Sequence, residues 1–162
     1  MTFISISRLA VLSLWLGAAL FFGAVVAPAV FSVLRAFDLP NANEIAGSII
    51  TRTLSVVNIS GCLIALLLLL TLFVSRTSRF ALIIETACIA IMLLTTAVGH
   101  WVIAARMRAL RAAMYLPIDQ VPIDDPRRIS FSSLHVYSVN ALGLAMIAAL
   151  ITIVLIGRGL RN

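Results

Sequence analysis

Residues 129–157 read ISFSSLHVYSVNALGLAMIAALITIVLIG, 29 consecutive positions without an aspartate, glutamate, lysine or arginine. A helix of about 20 apolar residues crosses the hydrocarbon core of a bilayer. A soluble core helix is rarely so long and so uniformly apolar. This stretch therefore predicts a membrane-spanning helix, bounded by Arg128 on one side and Arg158 on the other.

Three more uncharged or nearly uncharged runs precede it. Leu9–Leu34 holds 26 residues and Thr53–Ser75 holds 23; 80–105 holds 26 and is interrupted only by Glu85. The whole chain of 162 residues is 62% hydrophobic and 11% charged, against roughly 45–50% and 25% in soluble domains. Its mean hydropathy is +1.15. Water cannot be the solvent for that much apolar surface; lipid can. The expected fold class is all-α, an integral membrane bundle of four antiparallel helices in a single domain spanning 1–162, with spans near 9–34, 53–75, 80–105 and 129–157.

The first run has a basic residue ahead of it and Ala27-Pro28-Ala29 late in it, as a cleaved leader would. Its length exceeds the 7–15 residues of a leader core, so it is read as the first span. Pro28 should kink or end that helix. Asn41-x-x-Glu44 has the spacing of a capping box and sets the start of the second helix near Ala42. Asp125-Pro126 suits the cap and first position of the fourth. The third has no breaker before Pro117 and should project beyond Arg106 through Arg108 and Arg111. Arg76–Arg79 reads as a tight turn. Ala19, Gly23 and Ala27 form a ridge of small residues suited to packing on another helix. Asn58-x-x-Gly61 and Asn140-x-x-Gly143 are a faint internal echo between the second and fourth spans.

The net charge is +6, and all twelve basic residues are arginines. They border the apolar runs instead of forming a patch on a hydrophilic surface, which fits headgroup anchoring and excludes a nucleic-acid partner. Arg8, Arg76, Arg79, Arg158 and Arg161 flank very short segments on one side of the membrane. Arg35, Arg52, Arg106, Arg108, Arg111, Arg127 and Arg128 lie on the other side over longer loops, so the raw count points the opposite way; the density beside the short segments favours both termini in the cytoplasm, in a bacterial cytoplasmic membrane. The expected partners are the lipid bilayer and either a second copy of the chain or another membrane protein.

Polar groups inside a span are expensive and become functional candidates by default. On the third helix Glu85, Cys88, Met92, Thr95, Thr96, Gly99 and His100 fall within roughly 80° of one direction at 100° per residue. The stripe reads either as the lining of a path or as a packing face, with Glu85 pairing to Arg79 or Arg76. His100 and His135 lie about 9 Å and 10.5 Å inside Arg106 and Arg128 at 1.5 Å per residue, toward the same membrane side. If they converge they could relay protons or ligate a metal ion or haem; otherwise each satisfies a nearby hydroxyl or carbonyl. Asn58 and Asn140 are candidates for hydrogen bonds between helices. Glu85, Thr96, His100, His135, Asn58 and Asn140 thus make up the candidate intramembrane site. Cys62 and Cys88 sit in apolar runs as small hydrophobes. No nucleotide loop, dinucleotide fingerprint, zincin helix or nucleophile elbow is present, so no catalytic residue is assigned.

Trp15-x-Gly17, Phe21-Phe22, Ala27-Pro28 and Phe31 in the first span resemble the transmembrane protein 205-like family. So do Ala46-Gly47-Ser48-Ile49 and Phe131-x-x-Leu134-His135-x-x-Ser138-x-Asn140. The likeness covers nearly the whole chain. It implies a small four-span membrane protein and no established reaction; bacterial members form a domain of unknown function. A fainter likeness runs to copper-resistance D-type and haem-dependent protoporphyrinogen oxidase-like membrane proteins, which implies a haem or metal alternative through His100 and His135. The leading expectation is a non-enzymatic protein of transport, tolerance or membrane assembly.

Overall fold

The computed structural model describes residues 2–72 and 78–160. Arg76, Arg161 and positions 73–75 of the second apolar run lie outside the described residues, as does the first half of the Arg76–Arg79 turn. Four long helices account for nearly everything described: α1 (Phe3–Ala36), α2 (Ala42–Leu70), α3 (Arg79–Met114) and α4 (Pro126–Gly159). Each contains an 18-residue window of mean hydropathy between 2.2 and 2.6. No strand occurs among the described residues.

Each helix packs on its chain neighbour, and α1 closes the ring against α4. The buried core is a thin column drawn from all four helices, including Leu12, Trp15 and Ala19 of α1, Ala65 and Leu68 of α2, Ile89 and Met92 of α3, and Ala145 and Ala149 of α4. Outside it, large apolar side chains point away from the bundle: Leu14 is 77% exposed, Leu70 74% and Ile83 67%. An apolar exterior around a narrow core is stable only where hydrocarbon covers it. The chain is an integral membrane protein.

The helices are longer than the apolar runs that predict them. α1 begins a turn before Arg8, so this arginine lies within the helix and is 5% exposed. α3 continues to Met114 beyond its arginines, as the lack of a breaker implied, and stops where Tyr115 takes a left-handed conformation at φ 57°. Pro28 does not end α1. A π-helical turn, Phe22–Val26, precedes it, with the Ala27 N–H reaching back to the Phe22 carbonyl. This widening relieves the clash between a proline ring and the carbonyl four residues earlier. A second π turn, Val98–Ile103, interrupts α3 at Gly99 and His100.

The capping-box reading of Asn41 and Glu44 is corrected by the structure. Asn41 occupies the cap position without a side-chain bond to the helix. Asp119, from the loop between α3 and α4, does that work: its Oδ2 accepts the Glu44 N–H at 3.1 Å. Glu44 turns outward to the same loop and accepts the Ile118 N–H at 3.2 Å. The caps are exchanged between two segments, so the loop is fastened to the start of α2. The cap of α4 is local, with Asp125 accepting the Arg127 N–H at 2.7 Å.

Candidate functional site

The stripe on α3 faces inward, and Glu85, Thr96 and His100 of it meet neighbouring helices, while Thr95 bonds within its own helix. Glu85 is 1% exposed and forms an ion pair with Arg8 of α1. This corrects the expectation of Arg79 as its partner; Arg76, the other expected partner, lies outside the described residues. A pair on one helix needs three- or four-residue spacing, whereas Arg79 is six residues back. Thr96 donates to the Met92 carbonyl at 2.7 Å and stands 3.2 Å from the Cys62 sulfur of α2. Gly99 admits the amide of Asn58: a Cβ there would lie 3.1 Å from Asn58 Nδ2. His100 Nδ1 is 3.0 Å from Ser55 Oγ, and its ring stands edge-on to Trp101 with centroids 4.9 Å apart.

Trp15 and Gly61 complete this contact. Trp15 Nε1 donates to the Val57 carbonyl at 3.0 Å. Gly61 lies under the same indole, where a Cβ would approach Thr96 Cγ2 to 2.9 Å and Trp15 Cζ2 to 3.0 Å. The echo on α4 has no such role. Asn140 is on the exposed side, and Gly143 has nothing within 4 Å of where a Cβ would sit. One Asn-x-x-Gly faces the bundle and the other faces away, so the sequence match is not a structural repeat at these positions.

Past the π turn the bundle changes character. α1 packs on α4 chiefly through Thr2–Phe21, while Ala27–Ala36 packs on α2. The gap left between α1 and α4 is a cavity of about 1000 Å³. The ridge expected to pack on another helix does so at Ala19, which is fully buried. Gly23 and Ala27 instead line the cavity, and a Cβ on Gly23 would meet no atom within 4 Å.

The cavity is graded. Leu20, Phe22, Leu142 and Met146 line its deep end; Ser55, Asn58, Ser132, His135 and Ser138 lie between; Arg35, Asn43, Arg111, Asp119 and Arg128 line the end beside the loops. The charged end is a bonded network. Arg35 donates to Asn43 Oδ1 through Nε at 3.1 Å and an Nη at 3.0 Å. Asn43 in turn donates to Asp119 Oδ1 at 2.5 Å. Arg111 pairs with Glu44 at 3.2 Å and lies 5.1 Å over the Phe131 ring. Gly47 makes room for it, since a Cβ there would fall 2.6 Å from the guanidinium. Arg128 donates to the Val121 carbonyl.

Of the six candidate intramembrane residues, Asn58 and His135 reach this cavity, while Glu85, Thr96 and His100 belong to contacts elsewhere and Asn140 is on the outer side. Of the helix 1 motif, Phe22, Ala27, Pro28 and Phe31 line the cavity and Trp15 holds the closed half. The three arginines and Asp119 were legible only as helix borders and loop residues. His135 lines the cavity whereas His100 faces Ser55, and no group of three His, Cys, Asp or Glu side chains suited to a metal ion occurs among the described residues.

The family model described as a domain of unknown function (DUF4149) matches residues 10–116. No curated protein and no solved structure matches the chain.

Proposed function

Because the chain belongs to the family described as domain of unknown function DUF4149, we propose its role from the cavity: a non-enzymatic membrane protein that takes up a small lipid-soluble molecule, in service of transport, tolerance or membrane assembly. The observation that carries this reading is the graded cavity of about 1000 Å³ between α1 and α4. Its volume stands at the upper end of the roughly 300–1000 Å³ of small-molecule sites. Glu85, Glu44, Asp119 and His100 are each engaged in contacts within the fold, and His135 stands on the cavity wall among apolar and hydroxyl side chains, which suits a binding surface.

The placement we adopt is a bacterial cytoplasmic membrane with both termini inside, on the strength of Arg8, Arg79 and Arg158 beside short segments. The likeness to transmembrane protein 205-like proteins extends this reading, since Ala27-Pro28 and Phe31 of that motif line the cavity and Gly47 admits Arg111. Four helices enclose too little space for a continuous aqueous path, so conduction would require a second copy.

The test is binding of a lipophilic fluorophore to the purified protein in a neutral detergent, with its mass measured on the same sample. Wild type should bind one molecule per chain, and Gly23→Leu, which extends a side chain from the open cavity wall, should lower affinity at least tenfold. Equal binding by the two proteins would overturn the assignment of the cavity as the site.

A further inference from the structure

We infer that this cavity takes a monoanionic amphiphile from the bilayer, its oxyanion head between Arg35 and Arg128 and its chain toward Leu142 and Met146. This inference rests on the proposed reading of the cavity as a binding site and names the class of molecule that fills it.

The argument starts from how each arginine is held. Arg111 already has a carboxylate, Glu44. Arg35 and Arg128 are held by neutral acceptors, the Asn43 amide oxygen and the Val121 carbonyl. Among the described residues, no carboxylate lies within ion-pair distance of either. Both line the cavity. Asp119 lies on the same wall, but its oxygens receive the Asn43 amide and the Glu44 N–H. Three arginines against Glu44 and Asp119 leave one positive charge in excess, which selects a head carrying one negative charge.

Guanidinium groups suit such a head because their fork of N–H donors matches two oxygens of a phosphodiester or carboxylate. Placing them at the edge of a low-dielectric space strengthens that attraction over its value in water. A choline-type head would bring a cation toward the same arginines and is disfavoured. A free inorganic anion would satisfy the arginines but leave the apolar depth empty. Ala27–Ala36 of α1 packs on α2 and not on α4, and a chain-bearing molecule would enter from the membrane through that gap.

Phosphatidylglycerol, phosphatidylcholine and inorganic phosphate are the probes, titrated into delipidated protein in neutral detergent and followed by native mass spectrometry. Phosphatidylglycerol should bind one per chain and at least tenfold more tightly than phosphatidylcholine. Arg35→Gln with Arg128→Gln should bring it down to the phosphatidylcholine level, and the corresponding lysine pair should restore much of the preference. Equal binding of the two lipids by wild type, with both lost in Gly23→Leu, would leave the cavity standing and overturn the charge assignment. A preference that survives the double glutamine substitution would also overturn it, as would inorganic phosphate binding as tightly as phosphatidylglycerol. A preference untouched by Gly23→Leu would place the lipid elsewhere and sink the cavity reading itself.

Discussion

Arg8 and Glu85 join α1 to α3 across the ring, at 5% and 1% exposure. Removing both charges from water is costly, and their attraction offsets that cost only while both are present. Arg8→Leu or Glu85→Leu should therefore each destabilise the protein by about 3–5 kcal/mol, as buried pairs do when one partner is removed. The double leucine variant should recover most of that loss. Thermal unfolding in detergent, followed by tryptophan fluorescence, measures all three. A double variant as unstable as the sum of the singles would show that the pair is not one unit. Trp15→Phe should cost less, about 1 kcal/mol for a lost hydrogen bond, because the Val57 carbonyl also accepts Ser60 Oγ at 3.0 Å and is not left bare. The inward direction of Glu85 was readable from helical periodicity. Its partner was not, since Arg8 is 77 positions away and looked like a border residue ahead of the first apolar run.

The helices themselves were legible because length and apolarity decide them. Their irregularities depend on neighbours. Pro28 announces a disturbance in α1, but whether it ends the helix or is absorbed by a π turn is settled by α2, against which Ala27–Ala36 stays packed. Gly61 leaves no room for a Cβ between Trp15 and Thr96, and nothing in its local sequence separates it from Gly143. Gly61→Val should overpack the Trp15–Thr96 contact and destabilise by about 1–3 kcal/mol, while Gly143→Val should have little effect in the same melting experiment. At the start of α4, hydrogen bonds from the Arg127 side chain and its backbone N–H hold the Asp125 carboxyl down to about 2. A carboxylate whose folded value is depressed stabilises the structure above its ordinary value near 4, and that contribution is lost as pH falls toward 2. Arg127 also donates to the Ala113 carbonyl at 2.6 Å, tying α4 to the end of α3. Amide exchange in the first turn of α4 should therefore quicken between pH 4 and pH 2, after correction for intrinsic rates. Asp125→Asn should flatten that dependence.

At the scale of the molecule, the ring is shut where α1 meets α4 through Thr2–Phe21 and open beyond the π turn, and that asymmetry makes the cavity. Hydropathy showed four helices but not this opening, because the small-residue ridge Ala19, Gly23, Ala27 reads as a packing face along its whole length. Arg35, Arg111 and Arg128 likewise read as anchors at separate helix ends; only the folded bundle brings them to one chamber. The same four-helix arrangement fixes the topology of the chain in the membrane. With an even number of spans, Ser78 and Arg158 face one side and Asp38 and Asp124 the other, and all four positions are exposed. The native thiols give a silent background, since Cys62 and Cys88 are 4% and 7% exposed. Single substitutions Asp38→Cys and Asp124→Cys should react with a membrane-impermeant maleimide added outside intact bacteria. Ser78→Cys and Arg158→Cys should react only after the cells are opened. The reverse pattern would invert the orientation while keeping the four spans. Labelling of all four from one face would mean that the helices lie along the membrane, and the cavity between α1 and α4 would then have no bilayer to draw its ligand from.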